Sequence, residues 1–486
     1  MTVFCTGLTI HDLASIVLPG EIDEDSDSRR GETQTRMTHM LPIVGVPETI
    51  RRGLAPYRDV FCRDAGFEHI SRYITGLLLS PNKTLQGLYD VQVWPGDHAP
   101  SRRAMHAAVF EAAWDTEALM PRHRAVIARE HHGRGREVLS LDWTYAHHDR
   151  GPHIWGVHRA WDHVEKRLAR YQTVVTAVIA NRSCLDGVEV VVQQPNVYEE
   201  EIAYLRETIP ESYAQMERAQ GRLLEGLHQV LHRRVYKKRT EIALAIAQHR
   251  EAEGHFPQAP YAFDNGVLHL DLARFLESVG KHWVSEVECS RHIQWYGQWQ
   301  RVDTVAAALR QEHPESFRPV TVRCRNGESK QYWVFTKVVR LKRYGRKRLV
   351  IVHEQEDLED TPRFLLTDAL HWESARVLET WSYRWASEIF HEFAKQVTGL
   401  EAAQGRKEEA VTRHFRLSCV AQSLVQRTPA SGAETERFAF AQGQETVGQR
   451  VRTIARDAFH GLLRLVERLF AQGRSCEHIL EVLMPT

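Results

Sequence analysis

From about residue 137 the apolar residues change period, and that change limits what this chain can fold into more than any other feature. Upstream, Ile70, Tyr73, Ile74, Leu77 and Leu78 recur at three- and four-residue steps, the spacing of one helix face. Ser80-Pro81-Asn82 stops that run, and residues 101–114 read as a second helical stretch. Residues 137–141 then form a short strand-like run ending at Asp142. Residues 171–180, rich in Val, Thr and Ile, form a second, and a turn from Asn181 to Gly187 leads to a third at 188–193. A long, polar, mostly helical excursion occupies about 199–253; its later part starts at Thr240 as N-cap and ends at Gly254. A strand at 259–264, a helix at 268–279 closed by Gly280 and a strand at 283–287 follow.

Three hairpin-linked strands, then helix, strand, helix and strand, is the order of a ribonuclease H-like α/β core with a mixed five-stranded sheet. In that topology the first and fourth strands lie side by side and parallel. Asp142 and Asp264 are then expected to emerge together at neighbouring carboxyl ends, the edge where such sheets hold ligands. Residues 295–372 return to strand-like patterning, with Asn326-Gly327 and Tyr344-Gly345 as turns, and read as a β-rich insertion before the last core helix. The expected organisation is an N-terminal helical DNA-binding domain at 1–130 with an acidic linker at 21–36. A catalytic core at 131–294 and 373–400 follows, split by the insertion, and the chain closes with a helical domain at 401–486.

Composition excludes much. With 486 residues, 43% apolar and 26% charged, the chain has enough apolar material for several cores. Its longest apolar runs, such as 174–180, fall far short of the ~20 residues that cross a bilayer. No Lys or Arg precedes Arg29, so a basic secretory leader is not expected. Cys5, Cys62, Cys184, Cys289, Cys324, Cys419 and Cys476 form no CxxC pair, which argues for a reduced, cytoplasmic protein without a disulfide framework or zinc module. Basic and acidic residues balance at 63 each, so any polyanion site must come from where charge sits rather than from its sum.

The segment 381–395, WSYRWASEIFHEFAK, carries the most chemistry. On a single helix, Trp381, Arg384, Glu388 and Lys395 would share about a 60° arc, opposite a stripe of Ala386, Phe390, Phe393 and Val397. The bland reading is a solvated face with an Arg384–Glu388 ion pair. The alternative follows if Glu388 faces Asp142 and Asp264: three converging carboxylates persist only when cations neutralise them, and all-oxygen ligation favours Mg²⁺ or Mn²⁺. Two such ions would activate a water or a 3′-hydroxyl and stabilise the leaving oxygen of a phosphodiester.

These features together resemble a DDE transposase of a bacterial insertion sequence, in the group marked by a Tyr-x2-Arg-x3-Glu-x6-Lys signature. Trp381-x2-Arg384-x3-Glu388-x6-Lys395 matches three of the four positions. Asp142 with Thr144 two residues on, Asp264-Asn265-Gly266 before an amphipathic helix, the insertion, and the segments 67–78 and 105–114 also fit, so the resemblance runs from about 60 to 425. It implies that Asp142, Asp264 and Glu388 ligate two Mg²⁺, replaceable by Mn²⁺. It also implies that Arg384 and Lys395 hold DNA phosphates. A homodimer would pair two ends of double-stranded DNA, cut them, often through a hairpin, and join them to a target, in a bacterial cytoplasm at the nucleoid. Two positions depart from the pattern: Trp381 stands where the signature has tyrosine, and Trp143 where many relatives have a second aspartate. The alternatives are a non-catalytic DNA-binding protein derived from such an enzyme, and a structure-specific nuclease on the same core.

Glu392, one turn beyond Glu388, and Asp149 and Asp271, near the two aspartates, are spare carboxylates; signature spacing favours Glu388. The basic run 337–348, with Lys342, Arg343 and Arg346 around Tyr344, reads as a DNA contact, whereas the run 233–239 reads equally as a solvated face. Trp295, Tyr296 and Trp299 are expected to be buried structural aromatics rather than a stacking platform. His147, near Asp142, is expected to be structural rather than a proton carrier.

Overall fold

The computed structural model describes residues 41–94, 99–148, 151, 153–162, 165–195, 209–232, 236–325, 327–430 and 445–484. The acidic segment 21–36, Asp149, Arg233 and Arg234 lie outside the described residues.

The helical period of the first third is realised as α1 Glu48–Leu54, α2 Asp64–Leu79, α3 Leu85–Asp90, α4 Arg102–His106 and α5 Thr116–His131, with a parallel pair of short strands, β1 Ile43–Val44 and β2 Gln92–Val93. Their starts follow capping chemistry: Ser101 accepts from the Ala104 amide, and Asp115 from those of Glu117 and Ala118. Ile70, Tyr73, Ile74, Leu77 and Leu78 all point inward, as their spacing predicts, and α4 runs on into a π turn at Ala107–Glu111.

The remaining strands form one mixed sheet. β3 Val138–His147, β4 His158–Asp162, β5 Arg167–Ala180, β6 Leu185–Val192, β7 Tyr261–Phe263 and β8 Trp283–Glu286 come first in the chain. β9 His292–Trp295, β10 Gln298–Arg301, β11 Arg318–Arg323, β12 Ser329–Leu341, β13 Gly345–His353 and β14 Arg363–Thr367 follow. The path across the sheet is β10-β9-β12-β13-β14-β8-β7-β3-β5-β4, with β11 on β12 and β6 on β5. β3 and β7 are parallel neighbours, as read from the element order; β8 also runs parallel to β7, and the strands of residues 292–367 continue the same sheet through β14 against β8. This mixed α/β architecture is consistent with a ribonuclease H-like fold.

Helices cover both faces. α6 Pro210–His232 precedes α7 Arg239–Glu253, whose N-cap is Lys238, two residues before Thr240, with the Glu241 carboxylate accepting from the Lys238 amide at 2.7 Å. α7, α8 Leu270–Ser278 and α9 Val302–Glu312 bury their apolar stripes with Leu139, Leu141, Val175 and Phe263 on one face. On the other face α11 Trp385–Gln396 and α12 Glu408–Arg427 pack Ala386, Phe390, Phe415 and Cys419 against Val138, Val174, Val178 and Ala262. Phe390 fits because β6 has Gly187 beneath it: a Cβ there would stand 2.5 Å from the Phe390 ring. α13 Val447–Ala471 and the far side of α12 share a core with α1 and α2, so the tail is packed onto the N-terminal helices; α14 Cys476–Leu483 ends the described chain.

Two expectations about local structure are corrected. The segment 381–395 is not one helix: α10 Ser374–Ser382 ends, Tyr383 and Arg384 make a turn, and α11 begins at Trp385. Tyr383, Trp381, Leu378 and Val377 are all buried, and an unbroken helix could not seat both the α10 stripe against β8 and the α11 stripe against β3 and β5. β3 also does not stop at Asp142 but continues to His147, because β5 keeps pairing with it after β7 has ended.

Candidate active site

The carboxylates are placed by register. Leu141 pairs with Phe263, and Phe263 with Ser285, so the next row across the three parallel strands is Asp142, Asp264 and Glu286. Side chains alternate along a strand. Leu139, Leu141 and Phe263 face α7 and α8, so Asp142 and Asp264 project to the opposite face, where α11 lies. α11 is seated there by polar contacts as well as apolar ones: Ser387 Oγ donates to Ser140 Oγ at 2.7 Å, and His391 Nε2 lies 2.8 Å from the Thr176 hydroxyl, beside Asp142 in the register. Burial, reinforced by the Lys395 charge, pushes His391 down to about 3, so it is a neutral prop.

Asp142 is only 8% exposed. One carboxylate oxygen accepts from its neighbour's amide, Trp143 N–H, at 2.8 Å. Its pKa is pushed up to about 7, chiefly by burial and then by the charge on Asp264, with Glu388 adding in the same direction and the Trp143 amide and Arg384 opposing. Asp264 is held by a turn: its Oδ1 accepts from the Val267 amide at 3.0 Å, and its carbonyl accepts from the Ser285 hydroxyl. Gly266 in that turn keeps the space filled by the Trp143 ring, 2.9 Å from where a Cβ would be. Glu286 is raised by burial and by Asp264, against Arg363 and Arg384. The sequence places Glu286 in a strand without assigning it chemistry; its position in the same row as Asp264, one strand over, is visible only with the register.

Glu388 lies in the first turn of α11 and its carboxylate is 2.5 Å from Arg384. Arg384 lies over the rings of Trp381, at 5.2 Å, and Trp385, at 6.0 Å. Trp381 itself is 9% exposed and sits in the core with Val284, Val350 and Trp372, so it backs Arg384 from below rather than facing a ligand. The exposed indole at this point is Trp385, which a one-helix reading had no reason to single out. Lys395 donates to the Tyr145 carbonyl at 2.6 Å and pairs with Glu401, while Glu392 is exposed with Gln396 as its partner. Thr144 is half-buried, two residues beyond Asp142 on the same face.

The donor set fits divalent cations that prefer oxygen: two carboxylates on adjacent strands, a third above them and a fourth beside them, with Asp264 raising the cost of ionising both Asp142 and Glu286 and Glu388 adding to it at Asp142. The oxygens of Asp142, Asp264 and Glu388 are not drawn together, since Arg384 holds Glu388. Among the described residues the one trio of donor atoms within 4.8 Å of each other is His147, Asp162 and Glu165. That trio is already satisfied internally. His147 Nε2 meets Asp162 at 2.7 Å, Asp162 accepts from the Glu165 amide, and Glu165 pairs with Arg167. His147 is thus held in a hydrogen-bonded cluster, with Glu401 on its other ring nitrogen.

The basic run 337–348 divides. Lys342, Arg343 and Arg346 are exposed at the β12–β13 turn, whereas Lys347 is buried against Glu277 and Arg348 donates to the Leu370 carbonyl. The expectation that Trp295, Tyr296 and Trp299 are all buried is overturned. Trp295 is half-buried, but Tyr296 is 84% exposed and Trp299 is also exposed, because they lie on an edge hairpin whose turn, with positive φ at Tyr296 and Gly297, projects beyond β12. Lys337 stacks over both Trp295 and Tyr296.

Residues 56–314 match the family of DDE superfamily endonucleases, and the chain belongs to that family. Such enzymes use divalent metals and act on DNA, which makes this a nuclease of the transposase type. The match takes in Asp142 and Asp264 and ends before Glu388. No curated protein matches the chain. Among the described residues no helix is long and apolar enough to cross a membrane.

Proposed function

We propose that this protein is a cut-and-paste DNA transposase of the Tyr-Arg-Glu-Lys signature group, with Asp142, Asp264 and Glu388 as the metal-holding carboxylates of a five-stranded ribonuclease H-like core. The observation that carries the reading is the register that sets Asp142 beside Asp264 on the face covered by the helix of Glu388. The three carboxylates would hold two Mg²⁺, or Mn²⁺ in their place. When bound, the pair supplies Lewis-acid activation of the attacking hydroxyl and neutralises the leaving oxygen.

The chain's own residues do the remaining work. Burial of Asp142 makes its ionisation depend on a compensating charge, so the site loads and neutralises together. Were Glu388 to hold a metal, Arg384, which now pairs with it, would be available to bind a phosphate of the reacting strand. Trp381 fixes the Arg384 guanidinium from below, and Trp385 offers an indole face to a base. Lys395, Thr144 and the exposed Lys342, Arg343 and Arg346 contact phosphates further along the duplex. Water attacks first and a freed DNA 3′-hydroxyl later, through a hairpin where the second strand is cut. Action as a homodimer on two DNA ends, at the nucleoid of a bacterial cytoplasm, completes the reading.

The test is incubation of purified protein with labelled element ends and Mg²⁺, followed by separation of nicked, hairpinned and joined products. Asp142→Ala, Asp264→Ala and Glu388→Ala are expected each to abolish cleavage while end binding by gel shift survives. Wild-type cleavage by any one of them removes that residue from the assignment. End binding without any cutting would mark a non-catalytic DNA-binding protein, and cutting without joining a structure-specific nuclease.

A further inference from the structure

The β4–β5 hairpin leaves the sheet past the same carboxyl edge of β3 that carries Asp142, and one of its faces is exposed among the described residues. Pairing sets Arg159 directly opposite Arg170 and Trp161 directly opposite Leu168. All four are exposed, Trp161 at 48% and Leu168 at 55%. The other face is the buried one: Asp162, Ala169 and Tyr171 pack there with His158 and His147. Because Thr176 lies opposite Asp142, and Leu168 and Arg170 share the parity of Thr176, the exposed face of the hairpin is the face of the sheet to which Asp142 points.

We propose that this hairpin is a second contact surface for double-stranded DNA, holding the duplex several base pairs from the bond that is cut; the proposal rests on the DNA-cutting function above. Two arginines facing each other across a strand pair repel, and such a pair costs stability unless an anion lies between them. Among the described residues neither Arg159 nor Arg170 has a carboxylate partner, Lys166 adds an exposed charge at the turn, and Glu165 is taken by Arg167. Guanidinium groups match phosphate oxygens in pairs. Trp161, set between the arginines and the turn, offers an apolar ring to a sugar or base edge. A protein partner would ask for a wider apolar patch than one indole and one leucine. The spacing suits a duplex: six residues separate Arg170 from the Asp142–Thr176 row and eight separate Leu168, about 20 to 26 Å at ~3.3 Å per residue, or about six to eight base-pair steps.

Binding is measured on the full chain with metal chelated, using a labelled duplex of random sequence about thirty base pairs long over a range of salt. Each phosphate contact contributes ~0.9 to the slope of log affinity against log salt. Arg159→Thr with Arg170→Thr should lower that slope by about 1.8, whereas Arg159→Lys with Arg170→Lys, which keeps the charge, should retain it. Trp161→Thr should weaken binding by about fivefold or more with the slope unchanged. Variants that fold, by circular dichroism, yet bind with wild-type slope and affinity overturn the proposal, as does a Lys pair that loses the slope as fully as the Thr pair. Cleavage in Mg²⁺, followed separately, tells the two readings apart. Hairpin-dependent binding by a wild-type protein that never cuts sinks the catalytic reading alone, and cutting with hairpin-independent binding sinks this one alone.

Discussion

Asp142 shows how far one side chain's burden depends on its surroundings. An isolated aspartate would ionise well below neutrality; here burial and the neighbouring Asp264 lift it to about 7. The folded protein therefore binds a proton that the unfolded chain has released, from about pH 4 upward. Stability is lost as pH rises from there through about 7, and the loss is complete above it. Asp142→Asn removes the ionisation. In metal-free buffer at pH 8 it should stabilise the protein by an amount on the order of 2–4 kcal/mol, shrinking toward zero near pH 4. Thermal unfolding across that range with EDTA checks this, and saturating Mg²⁺ should narrow the gap at pH 8. A variant no more stable than wild type at pH 8 would mean that Asp142 is not destabilised by its neighbours. The legible part of the site at this scale was residue type and spacing. Glu286 was not legible, because only the strand register sets it beside Asp264.

At the scale of elements, α11 must lie close to the sheet for Glu388 to reach the aspartates. Gly187 permits that approach, since any Cβ would run into the Phe390 ring, which is fully buried and has nowhere to move. Gly187→Ala should cost about 1–3 kcal/mol in denaturant unfolding and reduce cleavage more than DNA binding, because it lifts α11 without touching an exposed residue. Unchanged stability would show that α11 is not held by this contact. The break at Tyr383 and Arg384 escaped sequence reading for a related reason. The 3.6-residue period runs through 381–395 without interruption, and only packing against two different strands divides it into two helices. The β4–β5 hairpin was also missed: β4 is only five residues long, and the stretch of β5 that pairs with it, residues 167–171, precedes the apolar run by which β5 is read.

Across the whole molecule, the last long helices bind the N-terminal helices to the sheet. Arg413 on α12 is almost fully buried and donates to the Thr116 hydroxyl and to the carbonyls of Val109, Ala112 and Trp114, with its guanidinium 4.3 Å from the Trp114 ring centre. Glu409 completes the set at 2.5 Å. Arg413→Ala leaves those carbonyls without donors and opens a cavity, so a loss of about 3–5 kcal/mol is expected. The measurement is chemical denaturation, read by limited proteolysis at the junction of the N-terminal helices with the sheet. A loss below 1 kcal/mol would show that this junction does not depend on the arginine.

The order of elements, the parallel neighbours β3 and β7, the two aspartates and the carboxylate on a late helix were all determined by the sequence, because each follows from a local period, a turn residue or a spacing that the chain carries with it. What only the tertiary structure decided is how those pieces face one another. Register adds Glu286 to the acidic row, packing breaks one predicted helix into two and buries Trp381, and the hairpins at the two opposite ends of the sheet leave Tyr296 and the Arg159–Arg170 pair in solvent. Each of these depends on contacts between residues far apart along the chain, which no local pattern encodes.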